Sequence, residues 1–170
     1  GDGAVPAAGG GDAAAAGADE CAVAVMVVRP ATPEDIDWVV QELRQFAAAV
    51  SGKHPLFAEA YAREWIPRLI AEQFVRIAEG REERAGVIVG VLGPHPLNPS
   101  LRTLSELFWW VSVRHRRGRA GLMLLEAFVE WGRQHADLIT LALEAKSPIK
   151  ATALTRRGFR FQEFGYVLEV

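Results

Sequence analysis

The spacing of apolar residues changes along this chain, and each change marks an element. Val25–Arg29 is a short β-type run. Ala31–Asp35 then reads as a helix start: Thr32 can serve as N-cap, Pro33 suits the first helical position, and Asp35 sits at the capping-box position. Ile36, Val39, Val40, Leu43, Phe46 and Ala47 follow at spacings of three and four, which is one stripe of a helix. Ser51–Pro55 ends it. A second helix is predicted over Leu56–Gln73, with Pro67 expected to kink or divide it. The period then shortens. Phe74–Ala78 and Ala85–Leu92 are β-like runs around the polar turn Glu79–Arg84, and Leu104–Val113 is the strongest strand pattern in the chain. Between them, Gly93–Arg102 holds three prolines and reads as an irregular loop. Leu122–Gln134 is a helix with Leu122, Leu125, Phe128, Val129 and Gly132 on one face. Leu138–Leu143 reads as a strand, Pro148–Arg157 as a short helix closed by Gly158, and Phe159–Val170 as a final strand bent at Gly165.

The resulting order is β-α-α-β-β-β-α-β-α-β. Strands in a run with helices to cover them imply an α+β or mixed α/β sheet. Residues 1–25 are different material: mostly Ala and Gly, with Gly9–Gly11 and Ala13–Ala16 as low-complexity runs. Such a stretch has too few large apolar groups to offset its ordering entropy, so it is expected to be a flexible tail. Met26 is a candidate natural start, with the tail as an upstream extension. The 170-residue length suits one domain, here residues 26–170.

Composition narrows the function. The net charge of −2 argues against a protein built as a whole to grip nucleic acid. The single cysteine, Cys21, excludes a disulfide framework and suits a reducing cytoplasm. No apolar run approaches the ~20 residues of a membrane span. The apolar run Cys21–Val28 is short and follows Asp2, Asp12, Asp19 and Glu20, so it does not read as a targeting signal. No His, Asp or Glu residues show metal-ligand spacing, and Gly52-Lys53 lacks the glycine run of a phosphate-binding P-loop.

The basic residues are concentrated where chemistry is expected. Val111–Leu125 runs from a strand through Arg114, Arg116, Arg117, Gly118, Arg119, Ala120 and Gly121 into a helix. A helix start presents unpaired N–H groups and partial positive charge, small residues admit a ligand close to the backbone, and guanidinium groups match phosphate. Physics alone makes this a polyphosphate site.

The same segment resembles the acetyl-CoA loop of the GNAT superfamily of N-acetyltransferases, Arg/Gln-x-x-Gly-x-Gly/Ala followed by a helix with Leu-Leu. Arg116 falls on the first position, Gly121 on the last, and Leu124-Leu125 on the helix. Arg119 replaces the middle glycine. Val28–Asp35 is similar to the family's opening strand and turn, and Ala153–Phe159 to its closing segment, so the likeness covers most of residues 26–170. The resemblance implies a GNAT-like acyl-CoA N-acyltransferase fold, a mixed and mostly antiparallel sheet flanked by helices. It implies acetyl-CoA as acyl donor, held by the backbone of Val111 and Val113, by the loop Arg116–Gly121, and by Ser147, where the family often has Asn. It also implies a cleft where the central strand splays from the Leu138–Leu143 strand. The acceptor would be a primary amine of a small molecule or peptide, bound by Ser51–Tyr61 and Gly93–Thr103. Many relatives are dimers, which leaves a homodimer open.

Glu106 stands on the central strand where the family often places its general base; the alternative is a strand-end carboxylate that faces solvent or pairs with Arg102. The family's acidic tyrosine position is Leu154, which cannot donate a proton. Tyr166 is the remaining late tyrosine and so the substitute candidate for the acid. Trp109 and Trp110 must point to opposite faces of their strand. Two other readings stand beside acetyl transfer. One is a CoA-binding module without catalysis, favoured by Leu154. The other is a nucleic-acid contact at Arg114–Arg119, opposed by the acidic net charge and the lack of interleaved aromatics.

Overall fold

The computed structural model describes residues 25–52, 54–81, 83–144, 147–163 and 166–168. The low-complexity stretch 1–24 and Gly165 lie outside them. The elements are β1 (Val27–Pro30), α1 (Ile36–Val50), α2 (Glu59–Glu72), β2 (Phe74–Glu79), β3 (Arg84–His95), β4 (Asn98–Val111), α3 (Ala120–His135), β5 (Leu138–Thr140) and α4 (Ala151–Thr155). The five strands lie in sequence order in one sheet. Pairings are antiparallel from β1 to β4, and β5 adds in parallel to β4 after the α3 crossover. This is the mixed, mostly antiparallel sheet expected from the pattern.

Alternation along the strands builds two cores, one on each face. Val75, Ile77, Val87, Val89, Phe108 and Trp110 meet the buried stripes of α1 and α2. Phe74, Ala78, Ala85, Ile88 and Leu104 meet Ala120, Leu124 and Phe128 of α3. Gly90 is required by close approach: a Cβ there would stand 2.5 Å from the Phe128 ring and 2.9 Å from Leu104.

Four details differ from the periodicity reading. α2 runs unbroken through Pro67. Gly93–Arg102 is not an irregular loop, because β3 and β4 stay paired as far as His95↔Asn98. β2 reaches only Gly90 and β5 only Thr103–Ser105, so the prolines sit on a two-stranded extension with free outer edges, where a missing N–H costs no ladder bond. On α3, Leu125, Phe128, Val129 and Gly132 are buried as expected, but Leu122 is 37% exposed and Leu124 is fully buried in its stead. Finally, 159–163 and 166–168 form no strand, since no partner strand pairs with them among the described residues.

The α1 end of the sheet is held by a buried carboxylate. Asp35 accepts both Arg29 terminal nitrogens (2.8 and 3.0 Å), Arg84 Nε (2.7 Å) and the Thr32 N–H (2.8 Å), the last being the capping contact foreseen from Thr32-x-x-Asp35. Arg29 also pairs with Glu79. Burial alone would raise the Asp35 carboxyl, but the Arg29, Thr32 and Arg84 contacts outweigh it and hold the group well below the usual carboxylate range. Its folded pKa is depressed, so its stabilisation is present above the unfolded value of about 3.9 and fades as pH falls below it. Asp35→Asn should therefore cost about 3–5 kcal/mol near neutrality. Urea melts of both proteins should converge as the pH is taken below about 4; a gap that stays constant would contradict this account.

Candidate active site

The cleft arises from an incomplete strand pairing. β4 and β5 pair only at Thr103↔Leu138, Leu104↔Ile139 and Ser105↔Thr140. Opposite β3, Gly90 faces Glu106 while Val89 faces Phe108, so Leu107 is an extra residue in β4. Such a bulge bends a strand and re-aims its side chains. Beyond it the chains part, and a cavity of about 800 Å³ opens through the gap. Glu106, Leu107, Trp109 and Trp110 line one side, and Ala142, Leu143 and Glu144 the other.

Glu106 spans the mouth of the split. Its carboxylate accepts the Ala142 N–H at 3.3 Å rather than pairing with Arg102. Burial pushes its pKa up to about 7; the Ala142 N–H works the other way, and the charge on Glu144 adds to the rise. A carboxylate poised there can exchange a proton near neutral pH.

The basic loop lies against the α3 end of the cavity, and its residues divide. Val111, Arg116, Gly118, Gly121 and Ser147 line it. Ala120 opens α3, fully buried. Val113, Arg117 and Arg119 are exposed and outside the lining, because the chain leaves the strand at Val111 and turns through Val113–His115. That turn also consumes two of the N–H groups expected to face a ligand: Arg116 donates to the Val113 carbonyl (3.5 Å) and Gly118 to that of His115 (3.0 Å). The first N–H groups of α3, at Ala120–Leu122, have no acceptor within the helix. Arg114 pairs with Glu83 at 2.7 Å, and His115 Nε2 stands 2.9 Å from the same carboxylate, so both are held off the cleft. Arg116 lies 4.2 Å over the Trp110 ring, with Nε on the Val111 carbonyl at 3.2 Å. The Ser147 hydroxyl accepts the Ile149 N–H at 3.2 Å. Tyr166, the substitute for the acid, is 94% exposed and does not line the cavity. Leu154 does not line it either.

Of the segments expected around the acceptor, Gly93–Thr103 lies on the far hairpin and contributes nothing to the lining, while Ser51 does. Leu56, Phe57, Ala58 and Tyr61 instead border a separate 130 Å³ pocket between α1 and α2. The end of α1 closes the main cleft with Phe46, Ala49 and Val50. The two tryptophans divide as their alternation requires: Trp110 joins the α1 core and Trp109 packs on the α3 core, and both also reach the cleft.

Glu42 was not among the sequence-derived candidates. It is 5% exposed and accepts Trp110 Nε1 (2.9 Å), the Ser112 hydroxyl (2.8 Å) and Gln45 Nε2 (3.2 Å). A signal was there: Glu42 falls between Val39 and Phe46 on the apolar stripe, and a charge on such a stripe must find buried donors.

The profile of the acetyltransferase (GNAT) family matches residues 39–159, which contain the split, the loop and α4. No match to a curated protein is found at a significant level. Solved structures share the fold at low identity. A transcriptional regulator from Bacillus halodurans superposes with a TM-score of 0.68 at 16% identity, over 86% of this chain and 100% of that one. A predicted acetyltransferase from Clostridium acetobutylicum, in a structure with acetyl-CoA, gives 0.65 at 15% identity over 85% and 96%. An acetyltransferase from Trypanosoma brucei gives 0.65 at 15% identity over 86% and 100%. With the splayed β4–β5 pair, the glycine-bearing loop at the start of α3 and a profile match across both, this chain belongs to the acetyltransferase (GNAT) family.

Proposed function

We propose that the protein transfers the acetyl group of acetyl-CoA to a primary amine, with Glu106 as the base. The observation that carries this reading is the Glu106 carboxylate, half-buried where β4 and β5 part and lifted to about pH 7. The residues around the cleft fit the donor. The start of α3 offers free N–H groups and positive charge for a pyrophosphate, and Gly121 leaves the wall open. Arg116, Lys150 and Arg156 line the same cavity and supply further positive charge.

In the reaction the amine nitrogen forms a bond to the thioester carbonyl carbon, the carbon–sulfur bond breaks, and coenzyme A leaves as the thiol. Glu106 takes the proton that the ammonium must lose before attack. With Leu154 at the family's tyrosine position, no phenol borders the cleft among the described residues. A thiol has a pKa near 8.5, so a thiolate leaves readily and can be protonated by water. Leu154 also favours a second reading, a family member that binds acetyl-CoA without turnover.

A calorimetric titration with acetyl-CoA, paired with a short DNA duplex at matched salt, tests the first step. Saturable binding of acetyl-CoA at micromolar concentration is expected, with no duplex binding. Duplex binding that falls steeply with salt, and none of acetyl-CoA, would make the arginine loop a nucleic-acid contact instead.

A further inference from the structure

We propose that the α1 side of the cleft is the acceptor site, and that it takes a monoamine with an apolar body. The inference deepens the acetyl-transfer reading and rests on it. The cleft passes through the sheet, and its two ends differ in chemistry. On the α3 side stand Gly121, Ser147 and Ile149, with Lys150 and Arg156 from the segment around α4. On the α1 side the lining is Phe46, Ala49, Val50 and the capping Ser51 at the helix end, with Leu107 and Trp110 from β4. These side chains carry no charge; the Arg116 guanidinium lies beside them, over the Trp110 ring. An apolar group bound against them would be removed from water.

The aromatic part of this wall is held in place. Phe46 stands edge-on to Trp110 with centroids 5.9 Å apart, and it also packs on Phe108 at 5.9 Å. The Trp110 indole is pinned from behind by its N–H donation to buried Glu42 at 2.9 Å, and Glu42 is in turn fixed by the Ser112 hydroxyl. A wall whose rotamers are set before binding costs little to order, which favours a defined ligand shape.

Charge sets the number of ammonium groups. Among the described residues, two carboxylates border the cavity, Glu106 and Glu144, against three cations, Arg116, Lys150 and Arg156. One ammonium can reach Glu106 at the split. A second one, carried farther into the α1 end, would meet apolar side chains and the Arg116 guanidinium over Trp110. Neither offsets its loss of hydration. Polyamines and lysine-rich peptides are thereby disfavoured relative to an aralkyl or alkyl monoamine.

The test compares 2-phenylethylamine, spermidine and a lysine-containing peptide as acceptors, following thiol release from acetyl-CoA and the mass of the acetylated product. Acetyl-CoA affinity is measured separately by calorimetry. The phenylethylamine kcat/KM should exceed that of spermidine by about tenfold or more, the scale of burying one ring-sized apolar group. Phe46→Ala should erase most of that preference through KM while acetyl-CoA affinity holds. Ala49→Glu, at an exposed position on the rim, should shift the preference toward spermidine, and it guards against misreading a folding defect in Phe46→Ala. Acetyl-CoA binding with spermidine or the peptide preferred, or with no turnover on any of the three, overturns this proposal and leaves the donor site standing. Absence of acetyl-CoA binding overturns the donor reading and this one with it.

Discussion

Glu106→Gln should lower kcat for acetyl transfer by about a hundredfold or more, the usual scale for losing a general base, while acetyl-CoA affinity stays within about twofold. The parent enzyme's kcat/KM should rise with pH through about 7, where burial places this carboxyl, and then level off. The glutamine variant should show a low rate without that step. Stability separates this effect from damage to the fold. A carboxyl whose folded pKa is raised holds its proton more tightly in the native state than in the unfolded chain. Native stability therefore falls as pH rises from about 4.3 to 7, while Glu106 is being charged in a poorly hydrated cleft. The neutral glutamine escapes that cost, so above pH 7 the variant should melt no lower than the parent. A variant that keeps the parent's rate and pH profile would remove Glu106 from the mechanism. Glu144 would then be the next candidate, being the other carboxylate on the cleft among the described residues.

The second large effect concerns the donor end. Gly121→Val should reduce acetyl-CoA affinity by about tenfold or more, whereas Gly121→Ala should change it little. A Cβ at this position meets the Val111 methyl at 3.5 Å, Ile149 at 3.6 Å and Trp109 at 3.8 Å, all ordinary contacts. The alanine is thus accommodated, and it favours the helix. The two further methyl groups of valine have no room left on the core side and must project into the cleft, where the ligand backbone would pass. Calorimetric titration of the three proteins measures the difference directly, with thermal melts to show that valine leaves the fold intact. Equal affinity across the series would mean that acetyl-CoA does not run past the start of α3.

Much of this site was legible because the relevant signals are local. A strand running into a basic, glycine-bearing loop and then a Leu-Leu helix is contiguous from Val111 to Leu125, and the structure keeps that order with β4 and α3. The Thr32-to-Asp35 cap is likewise a four-residue matter and forms as read. Where the reading failed, one partner was missing from the local sequence. The loop arginines looked equivalent, but Glu83 engages Arg114 while the Trp110 ring carries Arg116. Tyr166 was proposed for want of another phenol, and it stands exposed. The prolines after Gly93 argued against pairing, yet β3 and β4 pair there because their other edges are free.

The amino-acid sequence by itself determined most of the helices and strands as far as Thr140, the apolar faces that cover the sheet, and the basic, glycine-bearing stretch between β4 and α3. Those properties depend on residues within a turn or two of one another, so side-chain periodicity and backbone preference suffice to set them. Only the tertiary structure decided where β4 and β5 part, that Glu106 is carried into the gap, and that Glu42 braces the aromatic wall from behind. The Glu106 contact spans 36 positions and the Glu42–Trp110 contact 68. Contacts of that range exist only once a sheet register and a helix docking have been chosen together, and a carboxyl's proton affinity then follows from the water they exclude.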